Sequence, residues 1–250
     1  MPNVTFLRRL PAIAAAGAVL LAAAGAAYAQ QSKEEIEKIV REYILKNPEI
    51  IQEAIIELRK KQELAEQTAR AQALQSHKEQ IFRSKRDVVV GNPNGDVTLV
   101  EFFDYNCGCC RGFAGELQAV EHDDPNLRIV YLELPILGAR SALAARAALA
   151  AQRQGAYVEF HQALMASRGY TSPAAIQAIA ADLLLDGDQL QHDMADPVFD
   201  DTLEHNLAVA GALGIQGTPA FVIGQRLVQG ALPRERLAAL VAQARDHADR

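Results

Sequence analysis

Cysteine is scarce in this sequence of 250 residues, which contains only three. All three lie within four consecutive positions, as Cys107, Cys109 and Cys110. An exported protein that is stapled by disulfides carries its cysteines distributed along the chain, so this arrangement argues against a disulfide scaffold. The clustered cysteines indicate chemistry at one site.

The sequence also lacks an excess of positive charge. Its 25 lysine and arginine residues stand against 31 aspartate and glutamate residues, which gives a formal net charge of -6. This balance argues against nucleic acid or an anionic membrane surface as a partner. A phosphate-binding loop, a dinucleotide fingerprint and a Ser-His-Asp order are missing, and the six histidines lack metal-ligand spacing. We therefore expect no cofactor and no dedicated metal ligands.

Long apolar runs are missing except at the N-terminus. Arg8 and Arg9 precede an apolar run over residues 12–26, which Ala27-Tyr28-Ala29 follows. A basic start, a short apolar run and a small-x-small site predict a secretory signal peptide over residues 1–29, cleaved after Ala29. A retained membrane anchor is the alternative, although the alanine-rich run is short for one. We expect the mature protein to reside in a bacterial periplasm.

The stretch from Val97 to Cys110 is the most informative part of the sequence. It begins as an apolar run rich in β-branched and aromatic residues, which predicts a buried strand, and residues 111–120 then show helical periodicity. Cys107 lies at the predicted helix start, where unpaired N–H groups and the helix dipole stabilise a thiolate. Cys110 lies three positions later on the same face, close enough for a disulfide. The pair predicts thiol chemistry.

Cys109 is harder to interpret. It lies on a different face of the predicted helix, and a disulfide with the adjacent Cys110 would be strained. We interpret Cys109 as a small neutral residue, with a third redox group as the alternative. Three clustered thiols could also hold a soft ion such as Cu(I). For Cys107 and Cys110 themselves, the alternative to redox chemistry is a static disulfide or half of a zinc site.

The rest of the chain predicts an α/β architecture. Strands are predicted at residues 88–90, 97–105, 128–134, 220–223 and 226–228, and helices at residues 140–153, 156–167, 173–184, 197–213 and 233–245. A βαβ start, a helical middle and a ββα finish describe a thioredoxin fold with an inserted helical subdomain. We place this domain at residues 86–250 and the insertion at about 138–213.

Residues 30–85 are predicted to form an N-terminal helical stalk. A capping box begins the first helix at Ser32, Asn47-Pro48 interrupts it, and a second helix runs from Glu49 to about Phe82. Residues spaced alternately by four and three form a coiled-coil-like seam: Ile51, Ile55, Leu58, Gln62, Ala65, Ala69 and Gln72. We predict an oligomerisation stalk that assembles a homotrimer. The alternative is a helix folded against its own domain, and periodicity does not separate the two.

Two motifs add a family resemblance. Residues 101–110 read Glu-Phe-Phe-Asp-Tyr-Asn-Cys-Gly-Cys-Cys, and Gly217-Thr218-Pro219-Ala220-Phe221 follows far downstream. Together they resemble the DsbA-like branch of the thioredoxin superfamily. The N-terminal extension makes the chain most similar to the suppressor-of-copper-sensitivity C (ScsC) proteins, which connects it with copper tolerance. The departure is Cys109, where such proteins usually carry an aromatic or polar residue.

The resemblance implies a thiol:disulfide oxidoreductase that acts on protein substrates. Cys107 is the candidate nucleophile, and Cys110 resolves the mixed disulfide. In the resembling family the proline at Pro219 is cis and lies beside the cysteines, so the backbone of Thr218 is expected to bind an extended substrate as an added β-strand. An ordinary trans proline at a strand start is the alternative.

Glu101 interrupts an otherwise apolar strand six residues before Cys107. By resemblance, it relays a proton to and from Cys110, with a raised pKa as the expected signature. The alternative is that strand curvature leaves Glu101 at a sheet edge, in water. Asp104 and Tyr105 are expected to line the rim of the site.

These features together predict a periplasmic, oligomeric disulfide isomerase or reductase. A threonine before the proline resembles the disulfide isomerases more than the strong oxidases, and a stalk that gathers several active sites suits reshuffling. An isomerase must be kept reduced, so we expect a membrane-bound redox partner. The alternatives are a monomeric DsbA-type dithiol oxidase and a Cu(I)-sequestering thiol protein.

Overall fold

The computed structural model describes residues 32–84, 86, 88–169 and 171–248. The predicted signal peptide and its cleavage site after Ala29 lie outside the described residues. The chain divides into two compact units between Ala65 and Glu66. Within the described residues, none of the helices combines the length and the apolar character that a membrane crossing requires.

The first unit is helical. Residues 32–46 form helix α1, and helix α2 (Glu49–Ser76) begins after the predicted break at Asn47-Pro48 and continues into the second unit. Ten large apolar side chains among the described residues of this unit are exposed in the single chain: Ile36, Ile39, Val40, Tyr43, Leu45, Ile51, Ile55, Ile56, Leu58 and Leu64. Helices of this kind gain most of their stability from a partner that covers the apolar stripe.

A five-stranded sheet forms the centre of the second unit, in the order β1-β3-β2-β4-β5. Its strands are β1 (Val88–Gly91), β2 (Val97–Phe103), β3 (Leu127–Glu133), β4 (Ala220–Ile223) and β5 (Arg226–Gln229). Strands β2 and β3 are parallel, whereas the other neighbouring strands pair antiparallel. The central strand β2 is almost entirely buried, which explains its nearly continuous apolar sequence.

Eight helices of the described chain follow α2. They are α3 (Lys78–Phe82), α4 (Gly108–Asp123), α5 (Ala139–Arg153), α6 (Tyr157–Ala166), α7 (Pro173–Asp182), α8 (Gly187–Met194), α9 (Pro197–Ala212) and α10 (Arg234–Ala248). Helices α5 to α9 form the insertion, so the predicted thioredoxin fold with a helical subdomain is confirmed. The sequence interpretation missed α8, a short polar helix whose N-cap Asp186 accepts a hydrogen bond from the N–H of Gln189.

Two apolar clusters cover the two faces of the sheet. The cluster that includes Leu99 and Phe103 contains residues of α4 and α10 and the first half of α9, whereas the opposite cluster contains Val209 and Ala210 near the end of α9. Leu74 and Ile81 are buried in this second cluster. The end of the stretch expected to form the stalk therefore contributes to the core of the second unit.

Candidate active site

A tight turn between β2 and α4 positions the first cysteine. The N–H of Cys107 donates to the carbonyl oxygen of Asp104 at 3.0 Å, and the N–H of Asn106 donates to Oδ1 of Asp104 at 2.7 Å. Cys107 is the N-cap residue of α4, and its own carbonyl accepts from the N–H of Arg111 at 3.1 Å. The side chain of Cys107 therefore lies at the positive end of the helix dipole, as the sequence predicts.

The sulfur of Cys107 is half-buried, and Sγ lies 3.2 Å from the carbonyl oxygen of Thr218, to which the thiol donates. Burial by itself raises the pKa of Cys107. Hydrogen bonds from the Thr218 side chain, from the backbone and thiol of Cys110 and from the backbone of Cys109 outweigh burial and lower that pKa below its ordinary value. The result is an accessible sulfur that ionises more readily than a free thiol.

The other two cysteines lie in different environments. Cys110 is fully buried, and burial raises its pKa far above the ordinary value, with smaller contributions from the negative charges of Cys107 and Glu101. Cys109 is exposed. Among the described residues, no group of three or more histidine, cysteine, aspartate or glutamate side chains has an arrangement that could hold a metal ion.

Glu101 is fully buried in β2, where Tyr131 of β3 and Phe221 of β4 flank it in register. Burial, together with a smaller contribution from the negative charge of Cys107, raises the pKa of Glu101 to about 8. The expected signature of a raised pKa is present, and the alternative of an exposed edge position is wrong. At neutral pH the carboxyl is largely protonated, and when it is ionised its negative charge raises the pKa of Cys110.

The loop before β4 approaches the cysteine pair from the other side. The peptide bond between Thr218 and Pro219 is cis, so the alternative of a trans proline is wrong. Pro219 is buried, and its carbonyl oxygen accepts from the N–H of Gly230 at 2.8 Å. The structure thus brings Thr218 next to Cys107 and Cys110, although Thr218 lies more than a hundred positions later in the sequence.

The expectation that Asp104 and Tyr105 line the rim of the site is wrong, because both side chains are buried. The carboxylate of Asp104 accepts the N–H of Leu137 on Oδ2 at 2.9 Å, in addition to the turn described above. The hydroxyl of Tyr105 points inward and donates to Oε1 of Glu133 at 3.0 Å. Tyr105 therefore connects the active-site turn to the last residue of β3, and Asp104 connects it to the chain that follows β3.

Sequence reasoning missed a buried polar cluster next to this turn. Oε1 of Glu133 also accepts from the hydroxyl of Tyr157 at 2.7 Å, and Nδ1 of His161 lies 3.1 Å from the hydroxyl of Tyr105. Burial raises the pKa of Glu133 well above its ordinary value. Burial also lowers the pKa of His161 to about 3, so the imidazole is neutral at physiological pH. Like Glu101, Glu133 is an acidic residue in an apolar strand. This pattern in the sequence could have identified Glu133 as a buried polar residue.

Comparison with protein families yields two matches. Residues 83–243 match the thioredoxin family, and residues 33–65 match the N-terminal domain of the copper resistance protein ScsC. The first match covers the sheet, the cysteine pair and the insertion, whereas the second covers the helices of the first unit.

Solved structures show the same relationship. A thioredoxin-like oxidoreductase from Silicibacter pomeroyi is 45% identical, with a TM-score of 0.66, over 67% of this chain and 97% of that chain. The catalytic domain of Proteus mirabilis ScsC is 29% identical, with a TM-score of 0.65, over 70% and 98% of the two chains. The thiol-disulfide exchange protein α-DsbA2 from Wolbachia pipientis is 27% identical, with a TM-score of 0.67, over 72% and 97%.

Curated relatives are longer proteins. The Na(+)/H(+) antiporter NhaA 1 of Salinispora arenicola is 32% identical over 161 residues, which make up 64% of this chain and 25% of the antiporter. The chain spans about a quarter of the length of the curated relatives it matches.

Proposed function

Because this chain belongs to the thioredoxin family, and to its ScsC-like and DsbA-like thiol–disulfide exchange proteins, we propose that it is a periplasmic disulfide isomerase and reductase. Its substrates are proteins with disulfides. One observation carries the proposal: the Cys107 sulfur, with its lowered pKa, lies at a helix N-terminus and 3.2 Å from the carbonyl oxygen of Thr218.

Exchange begins at Cys107. Its thiolate attacks one sulfur of a substrate disulfide, a new bond forms between the two sulfurs, and the other substrate sulfur leaves as a thiolate that takes up a proton. The half-buried backbone of Thr218 binds the substrate segment next to its cysteine by strand-like hydrogen bonds. The product of this step is a mixed disulfide between Cys107 and the substrate.

The mixed disulfide is released by two routes. In isomerisation, another substrate thiolate attacks the substrate sulfur, a new substrate disulfide forms, and Cys107 leaves again as a thiolate with no net oxidation. In reduction, the thiolate of Cys110 attacks the sulfur of Cys107, the enzyme disulfide forms, and the substrate leaves reduced. The second route requires Cys110 to lose a proton, for which Glu101 is the acceptor when it is ionised.

The burial of Cys110 favours reshuffling of the mixed disulfide over its reductive release. Because burial raises the pKa of Cys110 so strongly, its attack on the mixed disulfide is slow unless a base accepts its proton. A long-lived mixed disulfide leaves the substrate time to rearrange.

We also propose that the chain forms a homotrimer joined through the first unit. The exposed apolar stripe of α1 and α2 supports this assembly.

The proposal includes a location and a partner, which the N-terminal sequence and the need for a reduced cysteine pair support. The signal peptide over residues 1–29 directs the chain to the periplasm, where a membrane-bound redox partner keeps Cys107 and Cys110 reduced. The match to a domain named for copper resistance supports a role in copper tolerance.

One experiment separates the candidate functions. The mature full-length chain is assayed for refolding of a protein with scrambled disulfides and, in parallel, for oxidation of a peptide dithiol. We expect refolding activity that exceeds dithiol oxidation, and the reverse ratio would favour the DsbA-type oxidase. Tight binding of Cu(I) in competition with a chelator, without either activity, would favour the Cu(I)-sequestering protein instead.

A further inference from the structure

The guanidinium of Arg111 is held next to the turn that carries Cys107. Arg111 is the fourth residue of α4 and lies four positions after Cys107, which is one helical turn. Its side chain folds back toward the helix start, where Nε donates to the carbonyl oxygen of Tyr105 at 2.5 Å and Nη2 donates to Oδ1 of Asn106 at 3.4 Å. Nη1 donates to the carbonyl oxygen of Gly169, in the loop between α6 and α7. A positive charge is therefore fixed beside the two residues that precede Cys107.

The half-buried Arg111 differs from other arginines of the second unit in its partners. Arg146, Arg153, Arg234 and Arg245 each form an ion pair with an aspartate. Among the residues that the structure describes, Arg111 takes part in no ion pair, and its three acceptors are neutral oxygens. A guanidinium has five N–H donors, so two of them remain for a further acceptor.

The acceptors of Arg111 are themselves held in place. Oδ1 of Asn106 also accepts the N–H of Thr171 at 2.8 Å, and Nδ2 of Asn106 donates to Oγ of Ser141 at 3.0 Å, in the first turn of α5. The turn of Cys107, helix α5 and the loop before α7 thus meet at Asn106. An anionic group that binds Arg111 finds the guanidinium already oriented, which lowers the entropy lost on binding.

The segments that meet at this point carry further positive charge. Arg140 lies in the first turn of α5 and Arg168 lies in the loop between α6 and α7, and both are exposed. Asp104, the acidic residue of the turn, is buried, and each of its carboxylate oxygens accepts a backbone N–H. The charged side chains that these segments present to solvent are therefore basic, although the chain as a whole has a net charge of -6.

We propose that Arg111 binds a carboxylate next to the cysteine of a polypeptide substrate, so that the site prefers cysteines with an acidic neighbour. This inference rests on the proposed function and specifies its substrate class. The backbone of Thr218 binds any extended sequence, because strand-like hydrogen bonds do not depend on side chains. Once the substrate cysteine is joined to Cys107, a carboxylate on the adjoining residue lies within reach of the guanidinium and accepts charge-assisted hydrogen bonds from it.

The test uses two short peptides, each with one disulfide, that differ only in having glutamate or glutamine beside one cysteine. Exchange with the full-length chain is measured as kcat/KM and divided by the rate of exchange with mercaptoethanol, whose thiolate feels the same repulsion from the added charge. The wild-type chain is expected to prefer the glutamate peptide about threefold, and added salt should reduce this preference. In Arg111→Gln the normalised ratio falls to about one.

Two further variants complete the design. Arg111→Lys keeps the charge but loses the planar pair of donors, and it should keep part of the preference. Arg226→Gln removes an exposed charge from β5, at the opposite end of the β4–β5 pair from Pro219, and it should keep the wild-type ratio. Because each ratio is measured within one variant, a general loss of folded protein does not change it.

The possible outcomes separate this inference from the proposed function. A normalised wild-type ratio near one, or a preference that Arg111→Gln leaves unchanged, overturns the carboxylate site while the proposed function stands. An equal loss of the preference in Arg226→Gln assigns it to the net charge of the chain, which also overturns the site. A preference for oxidised glutathione over its ethyl ester, with no preference between the peptides, overturns the polypeptide as the source of the carboxylate. A wild-type chain that exchanges with neither peptide contradicts the proposed function itself.

Discussion

The sulfur of Cys107 lies 3.2 Å from the carbonyl oxygen of Thr218, a residue 111 positions later in the chain. This contact joins the reactive thiol to the loop on which a substrate backbone would bind. The thiol donates to the carbonyl oxygen, whereas the thiolate accepts from the Thr218 side chain. Thr218 therefore forms a hydrogen bond with Cys107 in both of its protonation states and helps to set the pKa of that thiol.

Removal of the Thr218 hydroxyl should raise the pKa of Cys107. Thr218→Val keeps the shape of the side chain but loses the hydrogen bond to the thiolate, and a bond to a charged group corresponds to an increase of about one to two pH units. The measurement is the ultraviolet absorbance of the thiolate against pH in a Cys109→Ser background. Thr218→Ser, which keeps the hydroxyl, is the matched control, and equal titration curves for all three chains would contradict this assignment.

Glu101 should make stability depend on pH. Its pKa is about 8 when folded and near the ordinary value of 4.5 when unfolded, so between these values the folded chain binds the extra proton. Its contribution to the free energy of unfolding is therefore full below pH 4.5 and falls by up to about 5 kcal/mol as the pH rises past 8. Urea denaturation over this range should show a steeper decline for wild type than for Glu101→Gln, and parallel curves would show that Glu101 is not protonated.

The same substitution should slow the reductive route. Without a carboxyl to accept the proton of Cys110, closure of the enzyme disulfide is expected to slow by about a hundredfold. Rapid mixing of the reduced chain with a disulfide peptide separates the two steps: attack by Cys107 proceeds, and release of the reduced peptide is delayed in Glu101→Gln. An equal delay in attack would point to a structural defect.

The buried cluster around Glu133 should contribute to folding stability. Tyr105→Phe removes a hydroxyl that bonds Glu133 and contacts His161, and leaves both buried groups with one partner fewer. We expect the free energy of unfolding to fall by about 1–3 kcal/mol, measured in urea. Val158→Thr, a change of similar size at a position of α6 that is 39% exposed, is the control and should change it by less than about 0.5 kcal/mol. Equal effects of the two substitutions would contradict the role of this cluster.

The first unit should determine the number of chains in the assembly. Ile55→Asp places a charge in the predicted seam and is expected to convert the trimer to monomer in sedimentation equilibrium. Gln67→Asp places the same charge at an exposed position of α2 outside the seam and should leave the mass unchanged. A monomeric wild-type chain would contradict the trimer and favour the alternative in which the helix folds against its own domain.

Local patterns were sufficient to predict most of the site. The apolar strand before Cys107, the spacing to Cys110 and the Thr218-Pro219 dipeptide each have a short-range signature, because strand burial, helix starts and turns depend on neighbouring residues. Glu101 could also be identified, since burial of a carboxyl group in an apolar strand is unfavourable unless the group has a partner or a functional role. The fold followed from the order of these elements.

Side-chain direction and long-range packing could not be predicted in the same way. Tyr105 looked like a rim residue because it follows the strand, but its hydroxyl finds Glu133 only after β3 lies beside β2. Leu74 and Ile81 lie in the stretch predicted to form the stalk, and their burial depends on a sheet that is more distant in sequence.

Trapping the mixed disulfide tests the central claim most directly, namely that Cys107 attacks and Cys110 resolves. Reduced full-length Cys110→Ser is mixed with a protein carrying scrambled disulfides, and the adduct is mapped by mass spectrometry. The account predicts a stable adduct on Cys107, loss of the adduct in Cys107→Ser/Cys110→Ser, and wild-type refolding activity in Cys109→Ser. An adduct on Cys109, or no adduct while wild type still refolds the substrate, would contradict it.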